Sequence, residues 1–510
     1  MAVSDARKYT KDYVIRLLDG VIGRTLGGVD FSHQFDRTSK GEKITGIAGD
    51  VIEQSVFGYA RDNAQECDMM VDGTLTELKT TGVRVPKALL EQTKGKTGHA
   101  YNVLLSAKEG ISITGVTFEP TVQTDFLTSH FWEKAEHLLI VFYEYKAYSA
   151  VPASAYADFP IVGYSFNSFS ADEQAMLRSD WEIVSAYLQR IYVTFPDADK
   201  RNEQLVGFTH VLRSQLLLIE LVPGFKRRPN GSYQKPRYRL KKTFVDHLVH
   251  AHFQEQHDRE QALAHSFASF KELDARCHAL SCRYGGKTVK EMMLEFGLGA
   301  VNKQVASVCV VHMFGASAKK LNLISDFAKA GIIAKTIHLN ANGKRKEDMK
   351  LARIYFDEWA DRDTDFEDSD IYRYFCEHSF LFPIFRQDEQ GKPEKAVFLG
   401  FKRLGFDEHF LQTEVKRLWD DSRGLIHQNK LRWEYVYDKQ GNKVVNKSGG
   451  YKGAPNFPKS STHEVFMRGG GARSEDSDRT ECVNHIRMLP QFFWIKGSFI
   501  VDSLQSIPFI

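Results

Sequence analysis

Apolar positions recur at helical spacing in the first sixty residues. Residues 1 to about 28 read as an amphipathic helix ending near Gly27-Gly28. After a polar loop through Lys40-Gly-Glu-Lys43, a second helix is expected from Ile47 to Gly58, with Val51, Ile52 and Val56 on one stripe. The period then changes. Asp68 to Val83 alternates, and Asp72-Gly73 within it is the pair favoured by a two-residue hairpin turn with positive φ at both positions. Leu138-Leu-Ile-Val-Phe-Tyr143 reads as a buried strand, and Asp180 to Ile191 as a helix. Elements mixed in this way predict an α/β (mixed α+β) fold. From about His252 to Lys287 the chain is charged, Ala-rich and helix-prone, and it reads as a connector.

Beyond that connector the first pattern returns. Gly49-Asp-Val-Ile-Glu-Gln-Ser-Val-Phe-Gly58 lies beside Ala306-Ser-Val-Cys-Val-Val-His-Met-Phe-Gly315, and Glu77-Leu-Lys-Thr-Thr81 beside Ile333-Ala-Lys-Thr-Ile337. Tyr238-Arg-Leu-Lys-Lys-Thr-Phe-Val245 lies beside Phe493-Trp-Ile-Lys-Gly-Ser-Phe-Ile500. Three matches in one order predict two divergent copies in tandem: residues 1–256, a helical linker over 257–287, and residues 288–510.

Composition narrows this only slightly. A chain of 510 residues is too long for one ordinary core. Its 68 basic against 65 acidic residues, a net +3, neither demand nor exclude nucleic acid, so the position of the charge has to decide. Six cysteines without CxxC spacing argue against a zinc ribbon or disulfide scaffold and fit a reducing compartment. The first residues lack the apolar core of a signal peptide, and the longest apolar run, Leu216 to Val222, is interrupted by Glu220. A cytoplasmic chain with no membrane partner is expected.

The alternating segment carries the candidate chemistry. With Asp72-Gly73 as the turn, Val71 faces Thr74, Met70 Leu75, Met69 Thr76, and Asp68 Glu77. Opposed residues stand about 5 Å apart at Cβ, and Lys79 lies on the same face as Glu77. Two like charges so placed ask for a cation between them. Mg2+ takes oxygen ligands and keeps several waters, so two or three carboxylates suffice. Phosphodiester hydrolysis needs such an ion to activate water and neutralise the phosphate, and a neighbouring lysine can stabilise the developing charge. Glu53 on the preceding helix supplies a third carboxylate. Taken alone, Asp…Glu-x-Lys also suits a solvated hairpin.

Gly49-x-x-x-Glu53, Asp68…Glu77-Leu-Lys79-Thr, Thr128-Ser-His-Phe-Trp-Glu-Lys134, Asp180-Trp-Glu182 and Tyr238-Arg-Leu-Lys-Lys-Thr-Phe244 occur in that order. Together they resemble the MutH family of DNA endonucleases, within the PD-(D/E)xK nuclease superfamily. The doubled architecture resembles the two-copy Sau-type restriction endonucleases that cut at GATC. The resemblance implies a PD-(D/E)xK restriction-endonuclease-like fold in which Asp68 and Glu77 hold Mg2+ and Lys79 is the catalytic lysine. It further implies Glu53 as a ligand or water-orienting group and Lys134 as a second, supporting lysine. Asp68 lies further before Glu77 than the family spacing, so Asp72 stays an alternative ligand.

In the second copy Asp326 and Lys335 keep their places. Ile333 stands at the position of Glu77, Val310 at that of Glu53 and Phe375 at that of Lys134. Aliphatic side chains cannot coordinate Mg2+, so this copy is expected to be inactive, and the resemblance implies that it binds DNA as an effector. For the first copy, Lys226 to Lys242 holds eight basic residues in seventeen, with two tyrosines and no acid. Lys226, Arg227, Arg228, Lys235, Arg237, Arg239, Lys241 and Lys242 are therefore candidate DNA contacts, against the plainer reading of a solvated basic loop. In the second copy the candidates are Arg468 and Arg473, around three glycines. His247, His250 and His252 lack the HExxH pattern and read as part of a packed helix.

The expected function is a magnesium-dependent type II restriction endonuclease acting on double-stranded DNA, with two chains or two encounters making the two cuts. A mismatch-repair nicking enzyme is an alternative, disfavoured by the second copy. A non-catalytic DNA-binding protein is another, disfavoured by the complete Glu53, Asp68, Glu77, Lys79 set.

Overall fold

The computed structural model describes residues 7–40, 46–59, 66–116, 125–197, 200–201, 204, 212–222, 236–254, 262–299, 302, 304–345, 347–445, 450–471 and 476–510. Two compact units form, each from separate stretches of chain. The first comprises Met1–Ala147, Val151–Arg276 and Val311–Ile333; the second comprises Tyr148–Ala150, Cys277–Val310 and Ala334–Ile510.

In the first unit, strand β1 (Lys8–Tyr9) is followed by helix α1 (Lys11–Asp19), which Thr10 caps by accepting the amide of Tyr13. This helix is shorter than the periodicity predicts. Gly20 follows it and Gly23 adopts φ 82°, so the chain turns well before Gly27-Gly28. Helix α2 (Ile47–Val51) also stops early, because the next five residues, Ile52–Val56, widen into a π-helical turn. Such turns cost hydrogen-bond geometry and recur at functional sites.

The hairpin forms with the expected register. Strand β2 (Met69–Val71) pairs with β3 (Thr74–Arg84) through Val71↔Thr74, Met70↔Leu75 and Met69↔Thr76. Asp72 at φ 45° and Gly73 at φ 81° make the tight turn. Two short segments follow, helix α3 (His99–Asn102) and strand β4 (Ser106–Ala107), and β4 pairs with the far end of β3. Strand β5 (Ile111–Gly115) leads on towards helix α4 (His130–Ala135) and strand β6 (His137–Glu144). β6 runs parallel to β3, with Glu77 opposite Leu138 and Lys79 opposite Ile140. Strand β7 (Ile161–Ser168) closes the order β1-β2-β3-β6-β7. Leu138 to Tyr143 are all buried, which explains why β6 reads as an unbroken apolar run. Helix α5 (Ala171–Thr194) starts at a capping box of Ser170 and Glu173. A second, three-stranded sheet places β9 (Arg237–Leu240) between β5 and β8 (Ile219–Val222), and the helix Lys242–Phe253 follows β9.

Within the stretch expected to be a connector lies a packed helix, Phe270–Tyr284, whose Phe270, Leu273, Cys277 and Tyr284 are buried. Its charged residues mask an apolar stripe at helical spacing. Residues 311–333 also pack within the first unit. Thr243 Oγ1 donates to the carbonyl of Lys329 (3.1 Å), whose ammonium stands 3.8 Å from Glu173.

The second unit is built on smaller sheets. The strand Ile337–Leu339 runs parallel to Ser379–Arg386, which pairs antiparallel with Val397–Leu404. A register shift falls between Ile384 and Phe385, just as one falls between Phe142 and Tyr143 in β6. A three-stranded sheet places Gln491–Ile495 between Met349–Arg353 and Val465–Gly469, and the helix Gly497–Gln505 follows its central strand. No helix among the described residues is long and apolar enough to cross a membrane.

Candidate active site

Glu77 is the hub of the hairpin chemistry. It is only 3% exposed, and each of its carboxylate oxygens takes an ammonium: Lys79 Nζ on Oε1 at 2.6 Å and Lys134 Nζ on Oε2 at 2.8 Å. Lys134 reaches it from α4, whose cap Ser129 accepts the amide of Trp132, and also donates to the carbonyl of Glu66. Asp68 stands one residue outside the ladder and uses its side chain instead, Oδ2 accepting the amide of Leu78 at 2.8 Å. Glu53 sits in the π-helical turn. Asp72 is exposed at the tip, bound to the amide of Lys11 at 3.3 Å, which makes it a turn residue and leaves Asp68 as the hairpin's inner carboxylate.

The electrostatics follow from this crowding. Burial, and then the charge of Glu77, push the Asp68 carboxyl up to about 6. Burial, and then Asp68, push Glu53 up to about 7. Burial works against the charge on Lys79, but Glu77, Asp68 and Glu53 outweigh it and hold the ammonium above the usual lysine range. Lys79 therefore acts as a fixed positive charge. Tyr59 escaped the sequence reading. Its amide donates to the carbonyl of Glu53 (3.3 Å), and its buried hydroxyl has no hydrogen-bond partner among the described residues. An aromatic just past a Phe-Gly helix end looks like ordinary core, so nothing in the sequence marked it.

The donor set suits a hard divalent cation: oxygen ligands only, with like charges whose mutual repulsion a cation would relieve. Among the described residues no three acidic, His or Cys side chains are grouped closely enough to enclose a metal. Mg2+ needs only one or two protein carboxylates when water completes its shell. The pH dependence has a definite sign. Asp68 and Glu53 have folded-state values above their unfolded ones, so the metal-free site favours folding more as pH falls through 7 towards 5 and loses that contribution as pH rises. A divalent cation competes with those protons. Saturating Mg2+ should raise the melting temperature more at pH 8 than at pH 5.5, and equal shifts in a thermal melt would contradict this site.

A cleft of about 830 Å³ opens beside the hairpin, lined by Lys79, Thr80, Lys108, Ser112, Arg237 and Arg239. It brings two of the candidate DNA contacts to the same hollow as Lys79. Arg239 is ion-paired to Glu220 at 2.7 Å. Lys241 is a correction: it is 3% exposed and its ammonium donates to the carbonyl of Leu216, so it cannot reach DNA. Lys242 is paired with Asp246 at 2.7 Å. Lys226, Arg227, Arg228, Lys235 and Arg473 lie outside the described residues. In the second unit the guanidinium of Arg468 is bound to Asp348 at 2.6 Å and stacks near Phe466 and Trp494.

Three histidines are accounted for by packing. His247 meets Glu173 at 3.2 Å, His250 meets Ser106 Oγ at 3.3 Å, and His252 lies against Phe142. Asp180 is also structural. It is fully buried and accepts the amides of Leu217, Leu218 and Ile219 at 2.7, 2.7 and 2.9 Å.

The second set of candidates, Val310, Asp326, Ile333 and Lys335, is dispersed. Asp326 belongs to the first unit, where it accepts from the amide of Leu263 and from Ser266 Oγ. It is a loop anchor and does not occupy the place of Asp68. Lys335 belongs to the second unit and donates to the carbonyl of Lys350 at 3.0 Å. Ile333 lies in the short strand Ile332–Ala334. Val310 is buried. Ser369 caps the helix Asp370–Glu377, in which Phe375 is buried.

Residues 57–180, which carry the hairpin, its two lysines and most of the sheet that holds them, match the MutH family, described as DNA mismatch repair enzyme MutH. The likeness extends well past that segment. The type II restriction enzyme Sau3AI of Staphylococcus aureus is 23% identical over 503 residues, covering 90% of this chain and 92% of that protein. Asp68, Glu77, Lys79, Lys134 and Asp180 lie inside the matched segment, and Glu53 lies just before it.

Proposed function

We propose that this chain is a site-specific deoxyribonuclease of the type II restriction class, which hydrolyses double-stranded DNA with Mg2+ at the Asp68–Glu77 pair. The observation that carries the reading is Glu77, buried and bridging Lys134 and Lys79, the second of which lines a basic cleft. The ion, when bound, activates water and neutralises charge on the scissile phosphate. Glu77 fixes Lys79 so that its permanent ammonium faces the negative charge that builds on the phosphorus. Glu53, with its carboxyl at about 7, can accept a proton from attacking water near neutral pH. Arg237 and Arg239 hold the backbone across the cleft. The division into a catalytic copy over residues 1–256, a linker over 257–287 and a second copy over 288–510 is supported by the paired register shifts. Ile333 in the place of Glu77 supports an inactive second copy that acts as a DNA-binding effector. Recognition of GATC and a cytoplasmic setting are supported only by the likeness to the Sau-type enzymes.

Plasmid of known sequence should be cut in Mg2+ and left intact in EDTA, with sequenced ends sharing one short motif. Ends without a common motif would remove the restriction reading, and nicks on one strand alone would favour the mismatch-repair alternative. A one-site plasmid should be cut faster when a short duplex bearing the site is added. No acceleration would remove the effector role. Truncation near residue 280 is a poor substitute, because it also deletes residues 311–333 of the first unit.

A further inference from the structure

Between the helix Lys416–His427 and the strand Val465–Gly469, the second unit carries a β-ribbon. Trp433–Tyr435 pairs antiparallel with Gly453–Pro455, and further out a third segment, residues 443–445, joins both strands through Tyr437↔Lys443 and Val445↔Tyr451. The base is anchored: Leu431, Pro455 and Phe457 are buried. The outer part is not. Tyr435, Val436, Tyr437, Val445 and Tyr451 are between 40% and 56% exposed, an unusual run of large side chains for a surface ribbon.

Its charges do not balance locally. The two acids are satisfied within the ribbon: Glu434 takes Arg432 at 2.8 Å and Lys459 at 2.7 Å, and Asp438 accepts the amides of Gln440 and Asn442. Lys430, Lys439, Lys443 and Lys452 are exposed and have no carboxylate partner among the described residues. Lys443 Nζ stands 3.8 Å from the ring centre of Tyr435 and 5.3 Å from that of Tyr451, so its ammonium is held among aromatic faces. In a chain whose 68 basic and 65 acidic residues nearly cancel, four unmatched ammonium groups on one small element are a local excess.

We infer that this ribbon is a second DNA-contacting element, separate from the catalytic cleft, with its lysines on backbone phosphates and its tyrosine-bearing strands against the groove of a duplex. The assignment rests on the reading of this chain as a DNA-cleaving enzyme. Unmatched ammonium groups gain most from a polyanion that releases counterions on binding. A purely apolar partner would cover the tyrosines but leave those charges unmet. The ribbon therefore supplies the surface through which the second copy can hold DNA, which the dispersed remnants of its catalytic pattern do not.

The test uses the full chain carrying Glu77→Gln, so that DNA is bound without being cut, and a fluorescent duplex titrated by anisotropy at several salt concentrations. Each lost phosphate contact lowers the log–log salt slope by roughly 0.9. K439A/K443A/K452A should therefore lower the slope by roughly two to three and weaken binding about tenfold or more at moderate salt. These exposed lysines can be removed without disturbing the fold, and an unchanged thermal melt checks that. Unchanged affinity and slope in the triple variant overturn the proposal. If the triple variant instead dissociates a dimer seen by sedimentation while the salt slope stays fixed, the ribbon joins copies of this chain and the proposal is overturned. If the parent fails to bind duplex at all, the DNA-cleaving reading falls first, and the ribbon with it.

Discussion

Glu77→Gln is expected to lower Mg2+-dependent DNA cleavage by about 10³-fold or more while leaving the fold intact. The carboxylate has two tasks that one amide cannot share. As a carboxylate it offers a negatively charged oxygen to the cation, and its two oxygens receive Lys79 and Lys134. A glutamine keeps one acceptor oxygen, turns a donor towards one of the lysines, and removes the charge that keeps Lys79 protonated against burial. Alanine is less informative, since Lys134, 6% exposed, would be left as a buried charge with its carboxylate removed, at a cost of about 3–5 kcal/mol. Plasmid cleavage beside a circular-dichroism melt separates the two effects. A glutamine variant that cuts within tenfold of the parent would place the metal site elsewhere.

The largest effect on stability is expected at Asp180, which touches no part of the proposed chemistry. Three consecutive amides at the start of β8 converge on its carboxylate, and burial pushes the carboxyl up to about 6 despite those donors and the nearby charge of Lys241. Asp180→Asn offers one oxygen to three N–H groups and points an amide donor at the rest. Leaving buried donors unmet in this way should cost about 3–5 kcal/mol. The damage should travel. β8 pairs with β9 from Ile219↔Leu240 to Val222↔Arg237, and β9 carries Arg237 and Arg239 into the cleft. DNA affinity should therefore fall along with the denaturation midpoint. A variant as stable as the parent would mean that the loop before β8 is held by other contacts.

The two residues also show what a motif conceals. Asp68, Glu77, Lys79, Lys134 and Asp180 all lie in segments that stand out by pattern, yet only packing separates the four grouped around one carboxylate from the one that pins a strand. Basic residues sort in the same way. Arg237 and Arg239 share the cleft with Lys79, whereas Lys241, two residues on, points into the core. β9 ends at Leu240, and Lys241 caps the helix that follows, where its ammonium turns inward onto the carbonyl of Leu216. The tyrosine–lysine ribbon has no local signature, since exposure of its aromatics is set by what packs against them.

By itself the sequence determined what depends on local spacing. The Asp72-Gly73 turn set the hairpin register and so the shared face of Glu77 and Lys79, because two successive residues at positive φ admit one tight geometry. The unbroken apolar run of β6 declared a strand covered on both faces. Tertiary structure alone decided what depends on distant chain segments. It bent the Glu53 helix into a π-helical turn, brought Lys134 from α4 onto Glu77, and drew residues 311–333 into the first unit, where Asp326 anchors a loop. The physical reason is desolvation. A buried charge must find its partner wherever the chain can supply one, and that choice is made by packing across the sheet, with no trace in the spacing of neighbours.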